Sequence, residues 1–229
     1  MDRLSHVDRQ TKKSSLKRKK TLVAYSFILP SLTGFLIFTF VPIIFSLILA
    51  FCEWDSGNPI KFIGFKNFSY MFLKDKSFWI SLKNTIYYTV VTVPLTMVVA
   101  LFLAILMNKP LKGRVFFRSV LFFPYVASLV AIAVVWLALF NPEIGPINSI
   151  LRTLGVENPP RWAASTTWAM PTIIGLTVWK SMGYYMIVYL AALQAISKDL
   201  YEAAALDGAN GWQQFLNVTW PGITPTTFY

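Results

Sequence analysis

Lys180 is the one charged side chain inside any of the four long apolar runs of this 229-residue chain. An ammonium group in hydrocarbon is costly, so it must face a polar pathway, pair with a partner or snorkel to an interface. About 12 residues separate it from Trp168, which makes simple snorkelling difficult. Around it lie Thr177, Trp179, Ser181, Tyr184 and Tyr185, with Gly183 able to allow local opening. Trp179 and Tyr184 offer apolar ring faces and a hydroxyl of the kind that hold sugars, and ordinary helix packing is the competing account of each aromatic. In the preceding run Tyr125 and Ser128 are three apart and can share one helix face. Tyr125, Ser128, Trp179, Lys180 and Tyr184 are therefore candidates for a solute pathway, acting by binding and not by covalent chemistry.

A second concentration of polar residues occupies 202–221, reading EAAALDGANGWQQFLNVTWP. Asp199 and Glu202 have capping-box spacing, with Asp199 placed to accept amides of a first helical turn. Residues 201–206 are good helix formers, and Gly208 suits the left-handed conformation that ends a helix. A second short helix is expected over about 212–218, before Pro221. Ala203, Ala204 and Ala205 permit close approach, Glu202 and Asp207 form a polar edge, and Leu206, Phe215 and Val218 offer apolar anchors. Such a helix–turn–helix could fit a groove in another subunit. An interfacial amphipathic helix is the alternative.

Other chemistry is poorly represented. The sequence has no HExxH, no paired zinc ligands, no GxSxG elbow and no Walker A loop. A single cysteine, Cys52, excludes an internal disulfide, and the lone His6 has no partner histidine. None of the ten acidic residues falls in an apolar run, which argues against proton or sodium coupling.

The composition explains what must position these residues. The chain is 55% hydrophobic and 14% charged, against about a quarter charged in a soluble domain. Apolar runs near 22–51, 85–107, 119–140 and 168–193 are each long enough to cross a bilayer. Prolines 30, 42, 94, 124 and 171 mark expected kinks or ends. The net charge of +11 does not point to nucleic acid, because eight of the 21 Lys and Arg lie in the first 20 residues. The 108–118 link carries Lys109, Lys112, Arg114 and Arg118 with no acid. The 53–84 link spreads five lysines over 32 residues against three acids, and the 141–167 link has only Arg152 and Arg161 against Glu143 and Glu157. Positive charge therefore places the tail, 108–118 and everything after 193 in the cytoplasm. The aromatics of the 53–84 link, Phe62, Phe65, Phe68, Tyr70, Phe72, Phe78 and Trp79, are expected at the membrane interface, with contact to an extracellular partner as the alternative. A short helix is expected over 147–154.

EAAALDGA, followed by Phe215 and Pro221, resembles the EAA loop of binding-protein-dependent ABC transporter permeases. FTFVPIIFSLILAFCEWD at 38–55, GRVFFRSVLFFPYVASLVAIAVVW at 113–136, LFNPEIGPIN at 139–148 and LAALQAISKDLYEAAALDGA at 190–209 extend the likeness over about 25–225. Together they are similar to the branch that holds the maltose-transporter F and glycerol-phosphate-permease A subunits. The resemblance implies an all-α, polytopic transmembrane helical bundle with a type I ABC importer core. It implies four complete spans and a coupling loop at 198–221, in which Glu202, Ala203, Ala204, Asp207, Gly208, Ala209, Phe215 and Pro221 serve ATPase coupling. Trp220 stands where the family usually has leucine. Because the family core has six helices, 22–229 reads as an incomplete transmembrane domain after a basic cytoplasmic tail at 1–21, ending before the last two spans.

The implied activity is that of a permease subunit translocating a carbohydrate or related polar solute, in a multi-pass cell-membrane protein with a cytoplasmic amino terminus. The implied partners are two copies of an ABC ATPase, a second homologous permease, an extracellular solute-binding protein and the lipid bilayer. ATP and Mg2+ would sit on the ATPase, with no cofactor on this chain. A non-transporting membrane scaffold or fragment is the main alternative, ahead of a secondary transporter or a membrane enzyme. The family places substrate contacts on the third and fourth spans.

Overall fold

The computed structural model describes residues 20–55 and 57–228. The 1–21 tail, His6 included, lies outside them apart from its last two residues. The chain divides after Trp79 into two compact units.

The first unit opens with α1, Lys20–Leu49, a 30-residue helix apolar on every side. At 1.5 Å per residue it reaches about 45 Å, longer than the hydrocarbon layer of about 30 Å, so a crossing tilts or leaves one end in the interface. Pro30 does not break it. A π turn at Leu36–Phe40 precedes Pro42. A proline ring crowds the carbonyl four residues back, and the wider turn makes room for it. Beyond α1, β1 (Cys52–Glu53) pairs antiparallel with β2 (Lys61–Phe62). Between them the Gly57 and Asn58 amides donate to Asp55 and hold its carboxyl below the ordinary carboxylate range. Helix α2 spans Lys66–Leu73. Its Asn67 Nδ2 donates to the carbonyls of Ala50 and Cys52, tying helix to ribbon. Aromatics of the 53–84 link form two clusters of touching rings, Phe65 and Phe68 with Phe51, and Phe72 with Phe78 and Trp79.

Helix α3, Lys76–Asn108, begins in this unit and runs unbroken through Pro94. In the second unit follow α4 (Arg114–Val126), α5 (Leu129–Leu139), α6 (Pro146–Thr153) and α7 (Ala169–Ala195). Next come α8 (Lys198–Leu206), α9 (Gly211–Gln214), a π turn at Phe215–Thr219 and α10 (Trp220–Thr227). Among the described residues α1, α3 and α7 are long and apolar enough to cross a membrane. A fourth span exists only if α4 and α5 are counted together, and these are bent by 100°. The span expected over 119–140 thus falls on two helices broken at 127–128. Ala127 and Ser128 are extended (ψ 147° and 129°), so the helical hydrogen-bond ladder stops there and restarts in a new direction.

The core of this unit lies between the carboxyl-terminal halves of α3 and α7. Ala100 and Ala104, both fully buried, let α3 approach Met186, Tyr189, Leu190 and Leu193, and Ile223 of α10 closes the cluster. Small residues at such contacts are what membrane helices use to bring backbones together. Gly183 does the same on the opposite flank. A Cβ there would collide with the Leu121 carbonyl and lie 2.9 Å from Phe122 Cα. The local opening expected of Gly183 is thus corrected to tight packing of α7 on α4.

The helix expected over 147–154 is α6, with Pro146 at its start. Its fully buried Asn148 pins the whole connection. Asn148 Nδ2 donates to the carbonyls of Pro142 and Pro160, and its Oδ1 accepts from Trp162 Nε1 at 2.6 Å. Arg152 donates to the Glu143 and Pro142 carbonyls.

Candidate functional site

The bend between α4 and α5 is held by Lys180. Its Nζ donates to the carbonyls of Pro124 (3.2 Å), Tyr125 (2.8 Å) and Ala127 (3.1 Å). These oxygens lost their helical donors when the backbone became extended, and an ammonium has three hydrogens to give. All three are taken up. The same nitrogen lies 5.6 Å from the centre of the Tyr125 ring, which stacks on Tyr184 at 4.6 Å. Three of the five pathway candidates, Tyr125, Lys180 and Tyr184, therefore meet at the bend. Trp179 turns away from them and packs on Trp136, which stacks on Phe140. Ser128 is the N-cap residue of α5. The helix break separates it from Tyr125, so the shared face expected of that pair is corrected.

A second polar feature was not singled out from the sequence. Tyr88, Thr92 and Thr96, spaced by four on α3, face Thr177, Ser181 and Tyr185, spaced by four on α7. Tyr88 OH donates to Thr177 Oγ1 at 3.0 Å, which sets the register between the two helices. Together with residues of α10 they line a cavity of about 410 Å³. The signal was present: hydroxyls recurring every fourth residue in a run of Val, Leu and Met mark one helix face. The sequence reading followed the aromatics around Lys180 and missed the partner stripe on α3.

The 198–221 segment forms a helix–turn–helix. Helix α8 is capped by Ser197, whose hydroxyl accepts from the Asp199 amide. Asp199 is thus a first-turn residue and not the expected cap, because Ser197 already stands at the extended position that a cap requires. The helix ends as expected at Gly208, with φ +81°. There the Gly208 amide donates to Ala205 and the Ala209 amide to Ala204, which satisfies the last carbonyls of α8. Asn210 and Gln213 then form a reciprocal capping box that starts α9. The second helix is longer than expected and continues through Pro221 to Thr227. The π turn before Pro221 repeats the device seen before Pro42.

Tyr201 and Thr219 hydroxyls, 2.9 Å apart, lock the two arms of the projection together. Phe215 is half-buried and stacks on Trp212, whereas Leu206 is 90% exposed at the tip. Glu202, Ala203, Asp207, Gly208 and Pro221 are exposed, and Ala204 and Ala209 are half-buried.

Long apolar helices, one of them broken by a sharp bend, and a hydroxyl-lined cavity define a membrane-embedded helical bundle. The model of the family described as "Binding-protein-dependent transport system inner membrane component" matches residues 96–229. The probable ABC transporter permease protein YesP of Bacillus subtilis is 39% identical over 95% of this chain and 70% of its own length. The lactose transport system permease protein LacF of Rhizobium radiobacter is 36% identical over 96% and 73%. A crystal structure of a bacterial ABC transporter involved in the import of the acidic polysaccharide alginate superposes with a TM-score of 0.79 at 29% identity, covering 94% of this chain and 72% of that one. The same type of transporter, in complex with an alginate pentasaccharide-bound periplasmic protein, gives a TM-score of 0.78 at 27% identity, covering 91% and 69%. The chain belongs to the binding-protein-dependent transport system inner membrane component family. It is a multi-pass membrane protein and the permease component of an ABC importer.

Proposed function

We propose that this chain forms part of the route by which a carbohydrate or related polar solute is imported, driven by ATP hydrolysed on partner subunits. The observation that carries this reading is the 198–221 projection, doubly locked in shape and presenting a bare leucine at its tip. A rigid apolar anchor ringed by Glu202 and Asp207 is suited to a groove in another protein. In this reading two ATPase copies, holding ATP and Mg2+, take the projections of this chain and of a second permease. An extracellular binding protein delivers the solute. The names of its relatives, lactose and alginate transporters among them, support a saccharide.

Leu206→Asp in the assembled transporter should lower co-purified ATPase by at least tenfold, about 1.4 kcal/mol of docking energy, while membrane insertion is kept. Glu202→Lys should weaken attachment less, since it reverses one rim charge. Gly208→Val should uncouple ATP hydrolysis from uptake, because a β-branched residue resists φ +81°. Normal attachment and coupling in all three would remove the docking assignment.

The orientation follows from charge asymmetry, with the tail and 108–118 on the cytoplasmic side. In protein lacking Cys52, Lys112→Cys and Ile150→Cys both create exposed thiols. An impermeant thiol reagent added to intact cells should label only the one at 150. Labelling at 112 would reverse the assigned topology.

A further inference from the structure

We infer that a second cavity, where the ends of α3 and α7 meet the 198–221 segment, binds a phosphate group carried by a soluble ester or by a lipid headgroup. The cavity measures about 350 Å³. It is lined by Asn108 and Lys109 at the end of α3, Leu193 of α7, Tyr201 of α8, Gln214 of α9 and Thr219 of the π turn. It shares no lining residue with the hydroxyl-lined cavity between α3 and α7. The donors around it carry the inference. Lys109 brings an ammonium, a strong charge-assisted partner for phosphate oxygen. Asn108 adds a carboxamide. Gln214 Nε2 gives one hydrogen to the Ala209 carbonyl and keeps a second. The Tyr201 and Thr219 hydroxyls share a single hydrogen bond at 2.9 Å. One bond uses one of their two hydrogens, so the other is left to give. Donors from three chain segments thus surround one space. A phosphate ester brings three strong acceptor oxygens to them and up to two negative charges to the ammonium. The volume lies in the roughly 300–1,000 Å³ range of small-molecule sites, so a small organic group fits beside the phosphate.

A bound phosphate ties the end of α3 to both arms of the helix–turn–helix. Tyr201 belongs to one arm, and Gln214 and Thr219 belong to the other. Such a tie resists movement of 198–221 against the spans and slows ATP turnover on a docked ATPase. That consequence rests on the docking reading above, whereas the binding itself does not. The orientation proposed above puts the site on the cytoplasmic side, open to soluble esters and to headgroups of the inner leaflet.

The test uses the assembled transporter in phosphatidylcholine nanodiscs, in a Cys52→Ser background. Gly211→Cys puts a thiol on the cavity wall, where an added Cβ meets nothing within 4 Å. Glucose 6-phosphate at about ten times its Kd should slow maleimide labelling of that thiol about tenfold, and glucose should not. Replacing part of the phosphatidylcholine with phosphatidylglycerol separates the sources. A headgroup site is protected by that lipid alone, and a soluble-ester site by glucose 6-phosphate in either mixture. Lys109 is exposed, so Lys109→Gln should keep the melting temperature and weaken protection about tenfold or more. Protection by neither source, equal protection by glucose, or protection unchanged in Lys109→Gln would overturn the site. Protection with normal ATP hydrolysis would keep the site and remove its control of 198–221. Protection should persist in Leu206→Asp, whose leucine does not line the cavity, so the site stands or falls apart from the docking assignment.

Discussion

Lys180→Met is expected to be among the most damaging single substitutions in this chain, although methionine suits a membrane interior well. The side chain keeps its length and loses all three donors, so the carbonyls of Pro124, Tyr125 and Ala127 are left without the partner they have now. Water is scarce at that depth, and each orphaned carbonyl costs about 1–3 kcal/mol. The purified protein in detergent should melt at a clearly lower temperature. Protease cleavage at 126–129 should rise by an order of magnitude as the extended backbone loses its clamp. Lys180→Gln, which retains two donors, should fall between wild type and Lys180→Met. If lysine served only to line a pathway, Met and Gln variants would melt like wild type and lose uptake alone. That result would overturn the clamp.

The clamp also shows where sequence reading reaches its limit. The spacing of apolar runs announced a membrane bundle, and Lys180 was visible as a residue needing a partner. The partner was not visible, because it is three backbone carbonyls that become available only once the helix breaks. Nothing local forces that break: residues 125–130 read as YVASLV, with no glycine, and Pro124 sits inside α4 without ending it. The bend is thus a tertiary decision. The packing of α4 on α7 and the Lys180 donors stabilise a geometry that 119–140 alone would not choose. Boundaries set by short-range chemistry fared better. Gly208 ended α8 as its lack of Cβ predicts, and Pro146 began α6. The prolines were harder to interpret, since π turns at Leu36–Phe40 and Phe215–Thr219 absorb Pro42 and Pro221 without ending a helix.

The shape of the 198–221 segment was legible for a different reason. Its helix and turn were read from the order of residues in the chain, and the structure supplies the physics behind that order. Ser197 starts the helix, Gly208 stops it, Asn210 restarts the next, and Tyr201 fixes the angle between them through Thr219. The hydroxyl stripes were legible in principle as well, but only as a pair. A stripe on α3 alone is compatible with helix packing, and its meaning comes from the matching stripe on α7.

Two glycines of α7 offer the most direct check on how that helix is seated. A Cβ added at Gly175 would meet nothing within 4 Å, whereas one at Gly183 has the Leu121 carbonyl and Phe122 Cα in the way. Gly175→Ala should therefore raise the melting temperature slightly, since alanine favours helix by about 1 kcal/mol over glycine. Gly183→Ala should lower it, and Gly183→Val should abolish recovery of folded protein. Here the obstacle is backbone, which cannot rotate aside as a side chain can, so the cost lies at or beyond the upper end of the about 1–3 kcal/mol typical of overpacking. The damage should also reach the bend, because α4 can yield to a side chain at 183 only by moving away from α7. That displacement draws the Pro124 and Tyr125 carbonyls away from Lys180 Nζ. Combining Gly183→Ala with Lys180→Met should then destabilise by less than the sum of the two single changes, a coupling expected of neighbours that share one contact. Full additivity of the two melting shifts would show that the glycine seat and the lysine clamp act independently, and the packing of α7 on α4 would no longer explain the bend.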